Sequence, residues 1–163
     1  KAAIEFYKKV FGAKHLYSLT MPNGAVAHGE FKIGETLIMI SDESPEWGSK
    51  SPATLGGSPV TLNVMVDNPD AVAEKAVKAG GKLVFPVSDQ FYGFRSGRIE
   101  DPFGHYWIVS KVLEELTPSE MQRRMDEWMA SMSKDQPAAK AKPETAGKAK
   151  AKAASPKAKD VKK

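Results

Sequence analysis

The sequence predicts an α+β domain built from a duplicated unit of strand, helix and three strands, and three observations carry that prediction. Ala3-Ile4-Glu5 through Gly12-Ala13-Lys14 aligns with Ala71-Val72-Ala73 through Gly80-Gly81-Lys82 at a constant offset of 68 residues. Both stretches are amphipathic helices closed by glycine, with a lysine at the start of the next strand. Each is then followed by a strand, a glycine-containing turn and an apolar strand, from Phe31 to Ile40 and from Ile99 to Val109. The first strand of the first unit is expected to lie upstream of Lys1. The chain opens there without Met and reads as a fragment.

The elements follow in order. Ile4, Tyr7, Val10 and Phe11 recur at steps of three and four, so residues 1–11 form a helix that Gly12 stops. Residues 15–20 are β-rich, and Pro22-Asn23-Gly24 has hairpin-turn chemistry leading into a strand over 26–33. Gly34-Glu35 turns the chain into a strand over 36–40. Residues 41–58 are rich in Ser, Gly, Pro and Glu and read as one long loop. A strand over 60–66 restarts the pattern. Asn68 caps the next helix, with Pro69 at its first position and Val72, Ala73, Ala76 and Val77 on its buried face. Strands over 83–87, 96–100 and 106–112 follow, separated by the aromatic loop Phe91 to Phe94 and the turn Asp101-Pro102-Phe103-Gly104. Thr117-Pro118-Ser119-Glu120 is a capping box for a last helix over 117–132. Its stripe of Met121, Met125, Trp128, Met129 and Met132 is expected to pack on its own domain.

Composition narrows the function classes. The 163 residues contain no cysteine, which excludes a disulfide scaffold, thiolate catalysis and Cys-ligated metal. The longest apolar run is strand-sized, so no membrane span is expected, and with no secretory leader visible a soluble cytoplasmic protein is expected. Charge is uneven. Residues 134–163 hold ten lysines against Asp135, Glu144 and Asp160, a net of +7, whereas 1–133 carry −3. A Lys/Ala/Pro-rich tail without aromatics, over 133–163, is expected to be disordered. It reads first as a solubilising extension. As a basic arm it would bind nucleic acid or another polyanion weakly and without sequence specificity.

Five segments together resemble a known family. They are Ala3-Ile4-Glu5-Phe6-Tyr7, Pro22-Asn23-Gly24 with Val26-Ala27-His28, Leu55-Gly56-Gly57-Ser58-Pro59-Val60, Asp89-Gln90-Phe91-Tyr92-Gly93 and Asp101-Pro102-Phe103-Gly104-His105. In this order, over residues 1 to about 124, the chain resembles the vicinal oxygen chelate superfamily of glyoxalase I, bleomycin-resistance proteins and extradiol dioxygenases, and within it the PhnB-like branch. The resemblance implies a glyoxalase/bleomycin-resistance-like fold over 1–116, with βαβββ modules at about 1–43 and 59–113 whose sheets curl into a cup. It also implies a homodimer with a site in each concave face.

Metal-using members place His and Glu ligands on the first and last strands of each module. The corresponding places here hold Asn63, Ile108 and Met39, and the fourth falls on the absent strand. Ile has no lone pair, and neutral Asn and thioether Met are poor ligands for hard or borderline cations. No metal site and no cofactor are therefore expected, with a divalent metal left open through His28, Glu30 and His105.

Other residues carry the remaining chemistry. Val26, His28, Glu30 and Lys32 share a face by the strand period, and His28 with Glu30 forms a candidate acid–base pair bridged by water. Its competitor is a plain polar strip facing solvent. Tyr92 and Arg95 of the aromatic loop suit a flat or anionic ligand, or else plug the end of the cup. Trp47 is a candidate lid, Trp107 a packing residue, His105 a turn residue bonded to Asp101 or backbone, and His15 exposed. The expected activity is binding of a small apolar or aromatic molecule among Met39, Asn63, Met65, Tyr92, Arg95 and Tyr106, without a metal. The alternatives are a lyase, isomerase or dioxygenase of the same superfamily, and a scaffold with a polyanion-binding tail.

Overall fold

The computed structural model describes residues 1–135, so the tail expected to be disordered lies almost wholly outside the described residues. The elements run α1 (Ala2–Phe11), β1 (Lys14–Thr20), β2 (Val26–Ile33), β3 (Thr36–Ile40), α2 (Pro52–Leu55), β4 (Thr61–Met65), α3 (Pro69–Lys78), β5 (Lys82–Asp89), β6 (Phe94–Glu100), β7 (Tyr106–Val112) and α4 (Pro118–Asp135). Two sheets result, in the orders β1-β2-β3 and β4-β7-β6-β5. The second is mixed, because β4 pairs parallel with β7 while its other pairs are antiparallel. The first repeats β5-β6-β7 as β1-β2-β3, which is the duplication the 68-residue offset anticipates.

Local chemistry explains these elements. At Gly24 the backbone turns at φ +85°, and Asn23 Oδ1 accepts a hydrogen bond from the Ala25 amide at 3.0 Å, which closes the β1–β2 hairpin. Asn68 Oδ1 caps α3 by accepting from the Ala71 amide at 3.0 Å. β5 runs two residues past its expected end at Val87, and Pro86 is tolerated within it because it is an edge strand, where a missing N–H costs no ladder bond. Gly97 of β6 permits close approach, since a Cβ there would stand 2.7 Å from Val87 Cγ2 and 3.0 Å from Val87 backbone atoms.

Three expectations change. The long loop over 41–58 contains a 3₁₀ turn (Pro45–Trp47) and α2, because the Glu43 carboxylate accepts from the Ser51 amide at 2.9 Å and from Thr54 Oγ1 at 2.6 Å. On α3, Ala73 and Ala76 are buried but Val77 is exposed. On β2, Val26 is buried with the core, whereas His28, Glu30 and Lys32 are half-buried on the other face. An irregular register between Leu19 and Thr20 shifts the alternation there.

One core joins the two sheets through α1. The Tyr7 ring stacks on Phe31 of the first sheet at 5.2 Å and meets Trp107 of the second at 5.2 Å. Phe11 adds a contact to Trp107 at 4.8 Å. Each aromatic pair adds about 0.5–1.5 kcal/mol beyond its buried area. Buried Asp101 organises this packing. Its Oδ2 accepts from Tyr7 OH at 2.8 Å and Trp107 Nε1 at 3.0 Å, and its Oδ1 accepts from the amides of Phe103 and His105, both at 2.9 Å. The helices thus occupy one side of each sheet and leave the opposite faces open. No helix of the described residues is long and apolar enough to cross a membrane.

Candidate functional site

The open face of the second sheet gathers one set of polar side chains. Alternation puts Thr61, Asn63 and Met65 of β4 on it, paired with Tyr106, Ile108 and Ser110 of β7. Those residues face Glu100, Arg98 and Ser96 of β6, and Phe85 and Ser88 of β5 lie opposite Arg98 and Ser96. A cavity of about 470 Å³ opens here, walled by Phe85, Ser88, Gln90, Tyr92, Arg98 and Ile108. That volume suits a compact organic molecule.

Hydrogen bonds hold the wall in place. Tyr92 OH lies 3.0 Å from Ser96 Oγ, Gln90 Nε2 donates to Ser88 Oγ at 2.9 Å, and Ser110 Oγ donates to Asn63 Oδ1 at 3.0 Å. Arg98 Nη2 donates to Thr61 Oγ1 at 2.7 Å. Its guanidinium carbon stands 5.1 Å from the Tyr106 ring centroid and 5.7 Å from that of Phe85.

Of the residues expected to bind a ligand, Asn63, Met65, Tyr92 and Tyr106 share this face. Arg95 does not. On β6 it alternates to the helix side, where Nε and Nη2 grip Asp70 of α3 at 2.7 Å each and Nη1 reaches Asp89 at 2.6 Å. This fork holds the Asp70 carboxyl below its ordinary value and raises the Arg95 guanidinium, chiefly through the hydrogen bonds themselves. A second hollow of about 340 Å³ lies on that side, between Ala73, Val77, Leu83 and Val87, but its lining is mainly aliphatic and its Asp70 is already engaged by Arg95.

Met39 lies on the first sheet, opposite Glu30. There His28 Nε2 is 3.0 Å from Glu30 Oε1, and Tyr17 OH donates to the same oxygen at 2.7 Å. The pair expected to need a bridging water is in direct contact. Hydrogen bonds from His28 first, then Tyr17, hold the Glu30 carboxyl below its ordinary value, and the bond to Glu30 raises the Tyr17 hydroxyl. The six expected ligand residues therefore fall into separate groups: three on one sheet with Tyr92 in its β5–β6 turn, Met39 on the other sheet and Arg95 behind.

The aromatic loop divides its work. Tyr92 lines the cavity, while Phe91 stacks on Trp128 of α4 at 5.4 Å. Trp107 is core and His105 is tied to Asp101 through its backbone, as expected. Trp47 is 89% exposed and covers nothing among the described residues. Sequence reasoning passed over Arg98, Phe85, Ser96 and Gln90. The available signal was the alternation of Ser96, Arg98 and Glu100 against Gly97 and Ile99, which separates Arg98 from Arg95 once β6 is started at Phe94.

The three places that the resemblance implies for a metal, and that this chain contains, do not offer a fitting donor set. Asn63 is engaged with Ser110, its neighbour Ile108 has no lone pair, and the thioether of Met39 is a poor ligand for hard or borderline cations. Among the described residues no three His, Asp or Glu side chains gather to hold one.

Residues 1–109 match the model of the Glyoxalase/Bleomycin resistance protein/Dioxygenase superfamily. The chain belongs to this superfamily. An uncharacterized protein from Mycobacterium tuberculosis is 37% identical over 127 residues, covering 76% of this chain and 75% of its own. A gene product of Arabidopsis thaliana, 30% identical, superposes with a TM-score of 0.54 over 67% of this chain and 85% of its own. A PhnB protein from Bacillus cereus, 18% identical, shares the fold with a TM-score of 0.53 over 68% of this chain and 88% of its own.

Proposed function

We propose that this PhnB-like superfamily member binds a small flat apolar or aromatic molecule in the cup of its second sheet, acts as a homodimer and needs no metal to do so. The observation that carries the reading is the 470 Å³ cavity itself, whose wall combines Phe85, Tyr92 and Ile108 with hydroxyls and amides and offers no carboxylate or imidazole cluster. The homodimer is supported by the open sheet faces. Leu19 is 59% exposed and Met39 63% on the first, and Phe85 58% and Met65 52% on the second. Apolar side chains at that density on a sheet face suit a protein interface.

Calorimetric titration of the full chain with a naphthamide and a naphthoate tests the ligand. At least one is expected to bind, with an affinity unchanged after dialysis against EDTA. Absence of binding by both, or loss of binding with the metal, defeats the reading.

A second reading, an acid–base enzyme of the same superfamily, draws on the 3.0 Å contact between His28 and Glu30. Glu30, already accepting from His28 and Tyr17, would orient the imidazole, leaving His28 to move the proton. On that reading His28→Gln abolishes turnover while ligand binding persists.

A further inference from the structure

Among the described residues Arg98 has no counter-ion. Its Nε is buried and has no hydrogen-bond partner. Its one hydrogen bond goes to the neutral Thr61 hydroxyl, and two aromatic rings flank the guanidinium. Among the described residues no carboxylate pairs with it. Glu100, two positions along the same face, is turned to Lys82 at 3.3 Å. By contrast Arg95, Arg123 and Arg124 each grip at least one carboxylate. Arg98 is half-buried, and partly withdrawing a guanidinium from water without an anion is costly; its planar fork of donors matches an oxyanion better than any neutral group. The rest of the cavity wall supplies neutral hydrogen-bonding groups, from Ser88, Gln90 and Tyr92, and apolar area from Phe85 and Ile108.

We propose that the cup selects organic anions, a flat and mainly apolar body carrying one carboxylate, with Arg98 as the counter-ion that completes its hydrogen bonds on the ligand. This inference rests on the cup being the binding site and adds the charge of what it takes. The ligand body lies along Phe85 and Ile108, and its oxyanion replaces the water that would otherwise solvate the guanidinium.

The test compares a naphthoate with the naphthamide of the same shape, titrated into the full chain at low salt, and follows the Arg98 Nε–H resonance by NMR. The carboxylate is expected to bind about ten-fold more tightly than the amide, the gain of a charge-assisted hydrogen bond. The Nε–H resonance is expected to shift with the carboxylate and not with the amide. In Arg98→Gln the two affinities are expected to come within about three-fold of each other. Equal binding of both compounds by the unaltered protein, or tighter carboxylate binding without movement of the Arg98 resonance, overturns this inference and leaves the cup as a binding site. Binding of neither compound overturns both. The unaltered protein decides the matter even if Arg98→Gln fails to fold.

Discussion

At the scale of single residues, the buried carboxylate of Asp101 bears most on stability. It accepts four hydrogen bonds, two from the aromatic core and two from the turn that precedes β7. Asp101→Asn replaces one acceptor oxygen with a donor that faces other donors. It is expected to lower unfolding free energy by about 2–4 kcal/mol in urea titrations. Tyr7→Phe removes one donor and is expected to cost about 1–2 kcal/mol. Burial first, and Asp101 second, raise the Tyr7 hydroxyl far above its ordinary 10.0. A group raised on folding stabilises fully below its unfolded value and loses that contribution as pH rises past it. Stability should therefore fall above about pH 10, and Tyr7→Phe should flatten that fall; an identical alkaline limb in the variant would refute the assignment. Asp101 was legible in the sequence only as part of an Asp-Pro-Phe-Gly turn, since its partners Tyr7 and Trp107 meet it only after folding. Arg95 and Arg98 show the same limit. They are three positions apart, and strand alternation sends one to the helices and the other to the cup.

At the scale of elements, α4 is the one held most by charge. Thr117 Oγ1 accepts from the Glu120 amide at 3.3 Å, which is half of the expected capping box. The Glu120 side chain turns instead to Arg123 and Arg124, at 2.7 and 2.9 Å. Those bonds, Arg123 first, hold its carboxyl down to about 2 against an ordinary 4.5. A carboxyl lowered on folding stabilises above its unfolded value and loses that contribution as pH falls toward the folded one. The first turns of α4 should therefore fray between about pH 4.5 and pH 2, visible as movement of their Cα chemical shifts toward coil values, and Glu120→Gln should show no such titration. Helix and strand positions were mostly legible, because periods of 3.6 and 2 and the Asn, Pro and Gly signals act locally. Where local rules misled, the cause was neighbours. A side-chain clasp from Glu43 builds α2 inside an apparent loop.

At the scale of the whole molecule, the two open sheet faces are the unresolved demand of the fold. His28, Glu30 and Met39 lie on one, and Asn63, Arg98 and Tyr106 on the other; no strand pairs the two sheets among the described residues. A second copy covering these faces would remove the exposed Leu19, Met39 and Phe85 from water. Sedimentation velocity is expected to give twice the chain mass. Leu19→Glu, which places a charge on the first face, is expected to weaken self-association by about 100-fold, roughly 3 kcal/mol, without unfolding the chain. A monomer at all concentrations in the unaltered protein would remove the dimer from the proposed function.

The duplicated architecture, the order of its strands and helices, and the poor ligands at the superfamily's metal places are properties of the linear chain, because periodicity, turn chemistry and donor type are carried residue by residue. The grip of Arg95 on Asp70, the meeting of Asp101 with Tyr7 and Trp107, and the flanking of Arg98 by Phe85 and Tyr106 belong to the tertiary structure alone. Each depends on a register or a facing partner that folding brings into reach.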